Sequence, residues 1–343
     1  MEMSIPRSVR TKIQETGNML FTMFTDQGCR EYNEDSYGME THGDSTCFVL
    51  ADGLGGHGGG DVASKTAVST VCSIFKSEGY SDSFFDKVFS AAHDAIIAEQ
   101  EKANNYNGMK TTLVVLVISG GYAYYAHAGD SRLYFLKDGR IKARTYDHSV
   151  PQMLVLSKSI KESEIRNHPD RSKLLKVLGV KGESPKGDVA DPVKLSGNIS
   201  FLLCSDGYWE LIKDKDIETT NRAAVDTDEW LDTLSVMVRT AGENKNMDNY
   251  TAIAVWIDDG DTAIEKREEI RKRGLFKVEF EEPGKWDSHN RKEKKRIKLL
   301  RAKAAEESDT VEQDSQGSET ICDEPVESDT EVIDSDEEHT TIE

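Results

Sequence analysis

Short runs rich in Val, Ile, Thr, Tyr and Phe punctuate the chain at Phe21–Thr25, Thr46–Ala51, Thr111–Ser119, Tyr122–His127, Arg132–Leu136, Ile199–Cys204 and Thr251–Ile257. Each is bounded by Gly, Asp or Asn, so residues that suit a pleated surface stop at turn formers, and strands are expected. Between them the period changes. From Asp61 to Ser77, Val62, Ala63, Thr66, Ala67, Thr70, Val71 and Ile74 recur at helical spacing; from Asp82 to Glu101, Phe85, Val88, Phe89, Ala92, Ile96 and Ile97 do the same. Both predict amphipathic helices that cover a sheet. Strand pairs joined through Gly120-Gly121 and through Lys137-Asp138-Gly139-Arg140 read as hairpins, which makes the sheets largely antiparallel. No internal repeat is visible.

Composition narrows the class. The 343 residues are 37% hydrophobic and 8% aromatic, enough to bury a core and too little for a membrane-spanning bundle. The longest apolar run, Leu113–Ile118, is far short of the ~20 residues a transmembrane helix needs, so no integral membrane protein is expected. MEMSIPRSVR has no apolar stretch behind its basic residues, and a cytoplasmic protein is the expectation. Cys29, Cys47, Cys72, Cys204 and Cys322 show no paired short spacing, which speaks against a disulfide framework or a zinc knuckle.

Charge is unevenly spread. The net is -20, a field that repels nucleic acid. Ile264 to Ala305 carries 15 Lys/Arg against 8 Asp/Glu, whereas residues 306–343 carry 16 Asp/Glu and no Lys/Arg. The expected organisation is an N-terminal segment 1–14, a globular domain 15–258, a basic and partly helical extension 259–305, and an acidic disordered tail 306–343.

Four acidic clusters sit where predicted strands end: Asn33-Glu34-Asp35, Asp52-Gly53-Leu54-Gly55-Gly56-His57, Ser205-Asp206-Gly207 and Asp248-Asn249. A carboxylate at a strand end beside a Gly can face a shared pocket while the backbone carbonyl stays free for a cation, and hard Mg2+ or Mn2+ ions want such oxygen ligands. Taken singly, an Asp-Gly pair is far more often a surface turn, with odds of catalysis of roughly one in twenty. The ordered set changes those odds.

That set resembles the type 2C, or PPM, family of metal-dependent protein Ser/Thr phosphatases. The matching stretches are Gly28-Cys-Arg-Glu-Tyr-Asn-Glu-Asp35, Val49-Leu-Ala-Asp-Gly-Leu-Gly-Gly-His57 (of the form Asp52-Gly-x-Gly-Gly-His57), Gly129-Asp-Ser-Arg132, Leu203-Cys-Ser-Asp-Gly207 and Asp248-Asn-Tyr-Thr251. The Gly-rich turn and His168–Gly179 look like the bacterial branch. The resemblance implies an α+β fold, a four-layer α-β-β-α sandwich of two antiparallel sheets packed face to face, with a dinuclear Mg2+/Mn2+ site at one end. By position, Asp52 would bridge both metals, the Gly53 carbonyl would bind one, and Asp206 and Asp248 would complete the other. Glu34 and Asp35 would orient metal-bound waters or ligate directly, and Asp130 with Asp206 would hold a weaker third ion. Arg30 would bind the substrate phosphate, bidentate as Lys cannot be. The implied reaction is direct attack by a metal-bound water on phosphoserine or phosphothreonine.

One position departs from the family. Many eukaryotic members have a proposed general-acid His where this chain has Leu54, and the role does not transfer to His57, which reads better as packing or capping at the following helix. Thr145–Glu164 lies where bacterial members carry a flap, and a short surface helix is an equally good reading. His127, Tyr122, Tyr124 and Tyr125 read as strand packing. Thr310, Thr320 and Thr330 each follow Ser-Asp or Ser-Glu, as sites for a cognate Ser/Thr kinase read by a phosphothreonine-binding module would, although acidic ballast is the simpler reading. Phosphorylated Ser/Thr proteins are the expected substrates and a monomer the expected state. The rivals are a catalytically weak phosphoprotein-binding pseudophosphatase and a metal phosphohydrolase acting on small molecules or nucleic acid, the latter disfavoured by the net charge.

Overall fold

Residues with a run of strand formers on both faces must be covered on both faces, and here they are. A computed structural model describes residues 8–10, 14–16, 19–55, 59–105, 108–183, 186–243 and 245–257. His57, Cys322, the basic extension and the acidic tail with its three threonines lie outside the described residues.

Among the described residues, one seven-stranded sheet contains β1 (Ser8–Arg10), β2 (Gln14–Thr16), β3 (Met19–Asp26), β9 (Arg132–Lys137), β10 (Arg140–Arg144), β13 (Ile199–Cys204) and β14 (Tyr250–Ile257), in the order β1-β3-β14-β13-β9-β10 with β2 also on β3. The other contains β4 (Asp35–His42), β5 (Ser45–Leu54), β6 (Lys110–Thr111), β7 (Leu113–Ser119), β8 (Tyr122–Ala128), β11 (Asp188–Val189) and β12 (Val193–Lys194), in the order β11-β8-β7-β5-β4 with β12 on β8 and β6 on β5. Every pairing between these strands is antiparallel. Ser8–Arg10 pairs with β3 although it falls in the segment 1–14 set apart above.

Alternation along each strand sorts side chains into three cores. From β5, Cys47, Val49 and Ala51 pack with Ala63, Ala67, Val71 and Phe75 of α1 (Gly60–Glu78) and Val88, Ala92 and Ile96 of α2 (Phe84–Ala103). Phe48 and Leu50 face the other way, into an inter-sheet core with Phe21, Met23, Val114, Leu116, Leu133, Phe201, Leu203, Ile253 and Val255. From β13, Leu202 and Cys204 turn to the third core, beneath α4 (Asp206–Trp209), α5 (Asp214–Ala223) and α6 (Thr227–Gly242), where Tyr208, Ile217, Trp230, Leu234 and Val238 are buried. Helix, sheet, sheet, helix is the layer order, the four-layer sandwich.

Thr145–Glu164 contains α3 (Val150–Leu156), capped by the Ser149 hydroxyl and started by Pro151, and a 3-10 turn follows at Glu162–Asn167. A short helix is thus present in this stretch. Tyr125 joins the inter-sheet core, Tyr124 stacks on Tyr80 at 4.2 Å and His127 is buried, all as strand packing. Tyr122 stays partly exposed. Cys29, Cys47, Cys72 and Cys204 are unpaired. No helix among the described residues is long and apolar enough to cross a membrane.

Candidate active site

The inter-sheet core ends in polar residues for a geometric reason. Side chains on one face of a strand recur every second residue, so after Phe48 and Leu50 the next inward position on β5 is Asp52. Counting back from Met39 and Tyr37 on β4 gives Asp35, directly opposite Asp52 in the ladder. The same step beyond Leu203 of β13, Ile253 of β14, Met23 of β3, Leu133 of β9 and Val114 of β7 reaches Ser205, Thr251, Thr25, Ser131 and Thr112. One end of the sandwich is therefore closed by a rung of hydroxyls and carboxylates.

Hydrogen bonds tie the hydroxyls of the rung to one another and to the acids. The Ser205 hydroxyl donates to Asp35 Oδ2 at 2.8 Å and accepts from the Thr251 N–H at 2.9 Å. Thr25 and Thr251 share a hydroxyl contact of 2.7 Å, as do Thr112 and Ser131. Asp52 is fixed through its backbone: its N–H donates to Thr112 Oγ1 at 2.9 Å, and its carbonyl accepts from Thr111 Oγ1 at 2.8 Å and from the Thr112 N–H at 2.9 Å. Hydroxyls suit this place because each can both donate and accept.

Around the rung stand the other predicted residues. Asp206 opens α4 immediately after β13, Asp248 precedes β14, Glu34 precedes β4, and Asp130 lies in the β8–β9 turn. Gly53 is confined: a Cβ there would meet the backbone oxygens of Gly60 and Glu34. Arg30 sits in the loop after β3, half-exposed, with Nη2 on Asp248 Oδ2 at 2.6 Å.

Electrostatics show how strongly the acids act on one another. Burial, then Asp206, Asp35, Asp130 and Asp248, push Asp52 well above the ordinary carboxyl value. Burial and then Asp206 raise Asp130 likewise. Asp35 is pushed up to about 7, first by burial and then by Asp206 and Asp248, against hydrogen bonds from Thr251 and Ser205 that pull it down. Asp206 is raised to about 6, by burial and then by Asp248, with a hydrogen bond to Asp52 opposing. Glu34 is raised by burial and by Asp61 and Asp248, with the Gly60 N–H and Arg30 opposing. Glu210, one turn after Asp206, reaches about 7 through burial and Asp206, though Arg171 is bound to it. Five carboxylates from strand ends scattered between positions 35 and 248 thus share one electrostatic environment.

Is this environment suited to hard divalent ions? The donor set is all oxygen, and Asp35 Oδ1 is buried without a hydrogen-bond partner. Among the described residues no three acidic, His or Cys side chains close directly on one point. What suits hard divalent ions is the all-oxygen donor set and the unpartnered Asp35 Oδ1, and Mg2+ would bring several of its own waters. The residues fit.

Sequence reasoning placed these acids but missed what holds them. Trp209 donates from Nε1 to the Asp130 carbonyl at 2.9 Å, and the Arg132 guanidinium lies 3.4 Å over the Trp209 ring while binding Asp147 bidentately at 2.7 and 2.6 Å. That buried ion pair was unreadable, because Asp147 lies 15 residues away in a loop. The hydroxyl rung, by contrast, had a signal in the strand parity.

Comparison with known proteins supplies the family. Residues 29–256 match the family model described as Protein phosphatase 2C. The chain is 30% identical to the serine/threonine phosphatase stp of Listeria monocytogenes over 239 residues, 67% of this chain and 93% of that protein. It is likewise 30% identical to the protein phosphatase PhpP of Streptococcus pneumoniae, over 71% of this chain and 99% of that protein. The solved serine/threonine phosphatase of S. agalactiae superposes with a TM-score of 0.63 at 25% identity, covering 70% of this chain and all of that one. A structure of the PstP catalytic domain in complex with two manganese ions gives a TM-score of 0.60 at 25% identity, over 70% of this chain and 99% of that one. Sandwich, acid cluster and matched segment coincide, and the chain belongs to the protein phosphatase 2C family.

Proposed function

We propose that this chain is a metal-dependent protein serine/threonine phosphatase that hydrolyses phosphoserine and phosphothreonine. One observation carries the reading: Asp35, Asp52, Asp130, Asp206 and Asp248 come from separate strand ends into mutual electrostatic reach, and burial of the first four raises their affinity for protons. Such a cluster is costly to keep without cations and well matched to them. Two Mn2+ or Mg2+ ions are the proposed occupants, held by Asp52, the Gly53 carbonyl, Asp206 and Asp248. Glu34 and Asp35 orient the waters around them, and Asp130 with Asp206 is the place for a weaker third ion. When bound, these ions supply an activated water and polarise the phosphoryl group.

The chain's own residues do the rest. Arg30, exposed at the loop tip beside Asp248, presents planar paired donors that match two phosphate oxygens. The Ser205 and Thr251 hydroxyls hold Asp35 in one orientation, and the apolar layer beneath keeps bulk water from the far side of the acids. Cys204, buried with its thiol pushed strongly up by burial, is no nucleophile. The remaining parts of the reading are a phosphatase domain at 15–258, action against a cognate Ser/Thr kinase, a cytoplasmic monomer, and a tail whose phosphothreonines are read by a binding module.

Hydrolysis of a phosphothreonine peptide by the full chain, with and without Mn2+, tests the proposal. Release of phosphate that stops in chelator and returns with Mn2+ or Mg2+ is expected. Cation-independent turnover would overturn it, and phosphopeptide binding without turnover would make the chain a pseudophosphatase.

A further inference from the structure

The loop that bears Arg30 crosses from β3 in one sheet to β4 in the other, so no ladder holds it. What fixes its shape is largely one side chain. Asn249 is buried, and its amide spends every polar atom on this loop. Nδ2 donates to the Gln27 carbonyl at 2.8 Å and to the Tyr32 carbonyl at 2.9 Å, and Oδ1 accepts from the Glu34 N–H at 2.8 Å. The start and the end of the loop are thereby pinned to the same residue.

Neighbouring contacts complete the clasp. The Cys29 N–H donates to the Met247 carbonyl at 2.9 Å, and Gly28, at φ +62°, leaves room for the Asp248 carbonyl where a Cβ would sit. Gln27 Nε2 closes the tip on the Arg30 and Glu31 carbonyls. Asp248, next to Asn249, accepts from Arg30 itself. The dipeptide thus works at two levels: the carboxylate meets the guanidinium, and the amide meets the backbone that carries it.

We infer that Asn249 is a positioning residue for Arg30, setting the place of the phosphate-binding guanidinium and of Glu34 through the loop backbone without touching substrate. The chemistry admits few substitutes. Asp at 249 would keep the acceptor for the Glu34 N–H but turn an oxygen toward two carbonyls, and Ala would remove all three part-buried hydrogen bonds to the loop, leaving the Gln27 carbonyl only the Arg30 N–H. A loop released in this way loses the orientation on which bidentate recognition depends.

This inference rests on the phosphatase reading for its kinetic arm and stands apart from it in the other. In the first arm, full-length wild type, Asn249→Ala, Arg30→Ala and the double variant are compared at saturating Mn2+ for KM, kcat and competitive inhibition by inorganic phosphate. Asn249→Ala is expected to raise KM and the phosphate inhibition constant about tenfold with a smaller effect on kcat, and to add little on top of Arg30→Ala. Additive losses, or unchanged phosphate inhibition, would overturn the assignment. In the second arm, which needs no activity, native-state trypsin cleavage after Arg30 is measured against cleavage after Lys194, on strand β12. Selective acceleration at Arg30 in Asn249→Ala is expected; equal acceleration at both sites, or none, overturns it. If Asn249→Ala does not fold, Asn249→Ser, which keeps one short polar atom, carries both arms.

Discussion

Two layers of the same sandwich, a few residues apart along the same strands, are built to opposite rules. The inter-sheet core takes Phe21, Phe48, Leu50, Leu116, Phe201 and Val255, all buried, with Phe21 and Phe48 edge to face at 5.1 Å. One pleat further, the inward positions are Asp35, Ser205 and Thr251, also buried, and Asp52, partly buried. Burial in the first layer stabilises the fold. In the second it works against the charge of every acid it covers, which is the usual mark of a site shaped for a ligand. The fold therefore concentrates its stability and its chemistry in adjacent rungs.

The comparison breaks most visibly at Asp52. Asp52→Asn is expected to lower Mn2+-dependent turnover about 1,000- to 10,000-fold, as losses of a central catalytic group do. It should leave the chelator-treated protein at least as stable to heat, because one buried charge is removed. Near-wild-type turnover, or a large drop in melting temperature, would place Asp52 with the core instead. The converse is Phe48→Ala, expected to cost about 3 to 5 kcal/mol of unfolding free energy by denaturant titration while the folded fraction keeps its kcat. A kcat loss without destabilisation would show that the two layers are not separable.

Ser205→Ala sharpens the boundary. It removes the donor to Asp35 and the acceptor of the Thr251 N–H while changing little volume. A fall in activity of about 10- to 100-fold, with weaker Mn2+ activation, is expected from an outer partner of a metal-facing acid. Unchanged Mn2+ dependence would make the rung mere packing.

The smallest effect is one of pH. Asp35 and Asp206 titrate near 7 and 6 in the fold against an ordinary value of 3.8. Folding thus favours their protonated forms, so the stability they contribute is complete below the ordinary value and is lost as pH rises through 6 to 7. In chelator the melting temperature should drop by roughly 5 °C between about pH 5 and pH 8, and saturating Mn2+ should flatten the profile. A rise over that interval would refute the sign.

How much of this could be read from the residues alone follows from the same layering. Strands with two covered faces announce themselves as apolar runs, and Ile199–Cys204 was expected with both ends in place. β4 was not, since its sequence DSYGMETH belongs to an edge strand that is partly exposed and shows no such run. α5 hid for a related reason: its buried face is Ile217, Thr220 and Asn221, mostly polar. α6 did carry a signal, with Asp226 capping and Trp230, Leu231, Leu234 and Val238 at helical spacing. Thr111–Ser119 splits at Thr112, whose side chain leaves the ladder's apolar pattern to reach Ser131. For the site, acids beside glycines marked the strand ends, and the motif order identified them as a set. The partners that orient them, Asn249 and the Arg132–Asp147 pair, became visible only once distant segments were in contact.

Among the described residues the last strand to be made, β14, is not at the margin of its sheet but lies between β3 and β13. A growing polypeptide therefore exposes a gap in that sheet until its residues up to about 257 have left the ribosome. Asp248 and Asn249 arrive with the closing piece, while Arg30, Glu34 and Asp52 have long been synthesised. Truncated products from premature termination before that point lack both a closed fold and a working cluster, so hydrolytic competence is acquired in a single late event rather than by degrees.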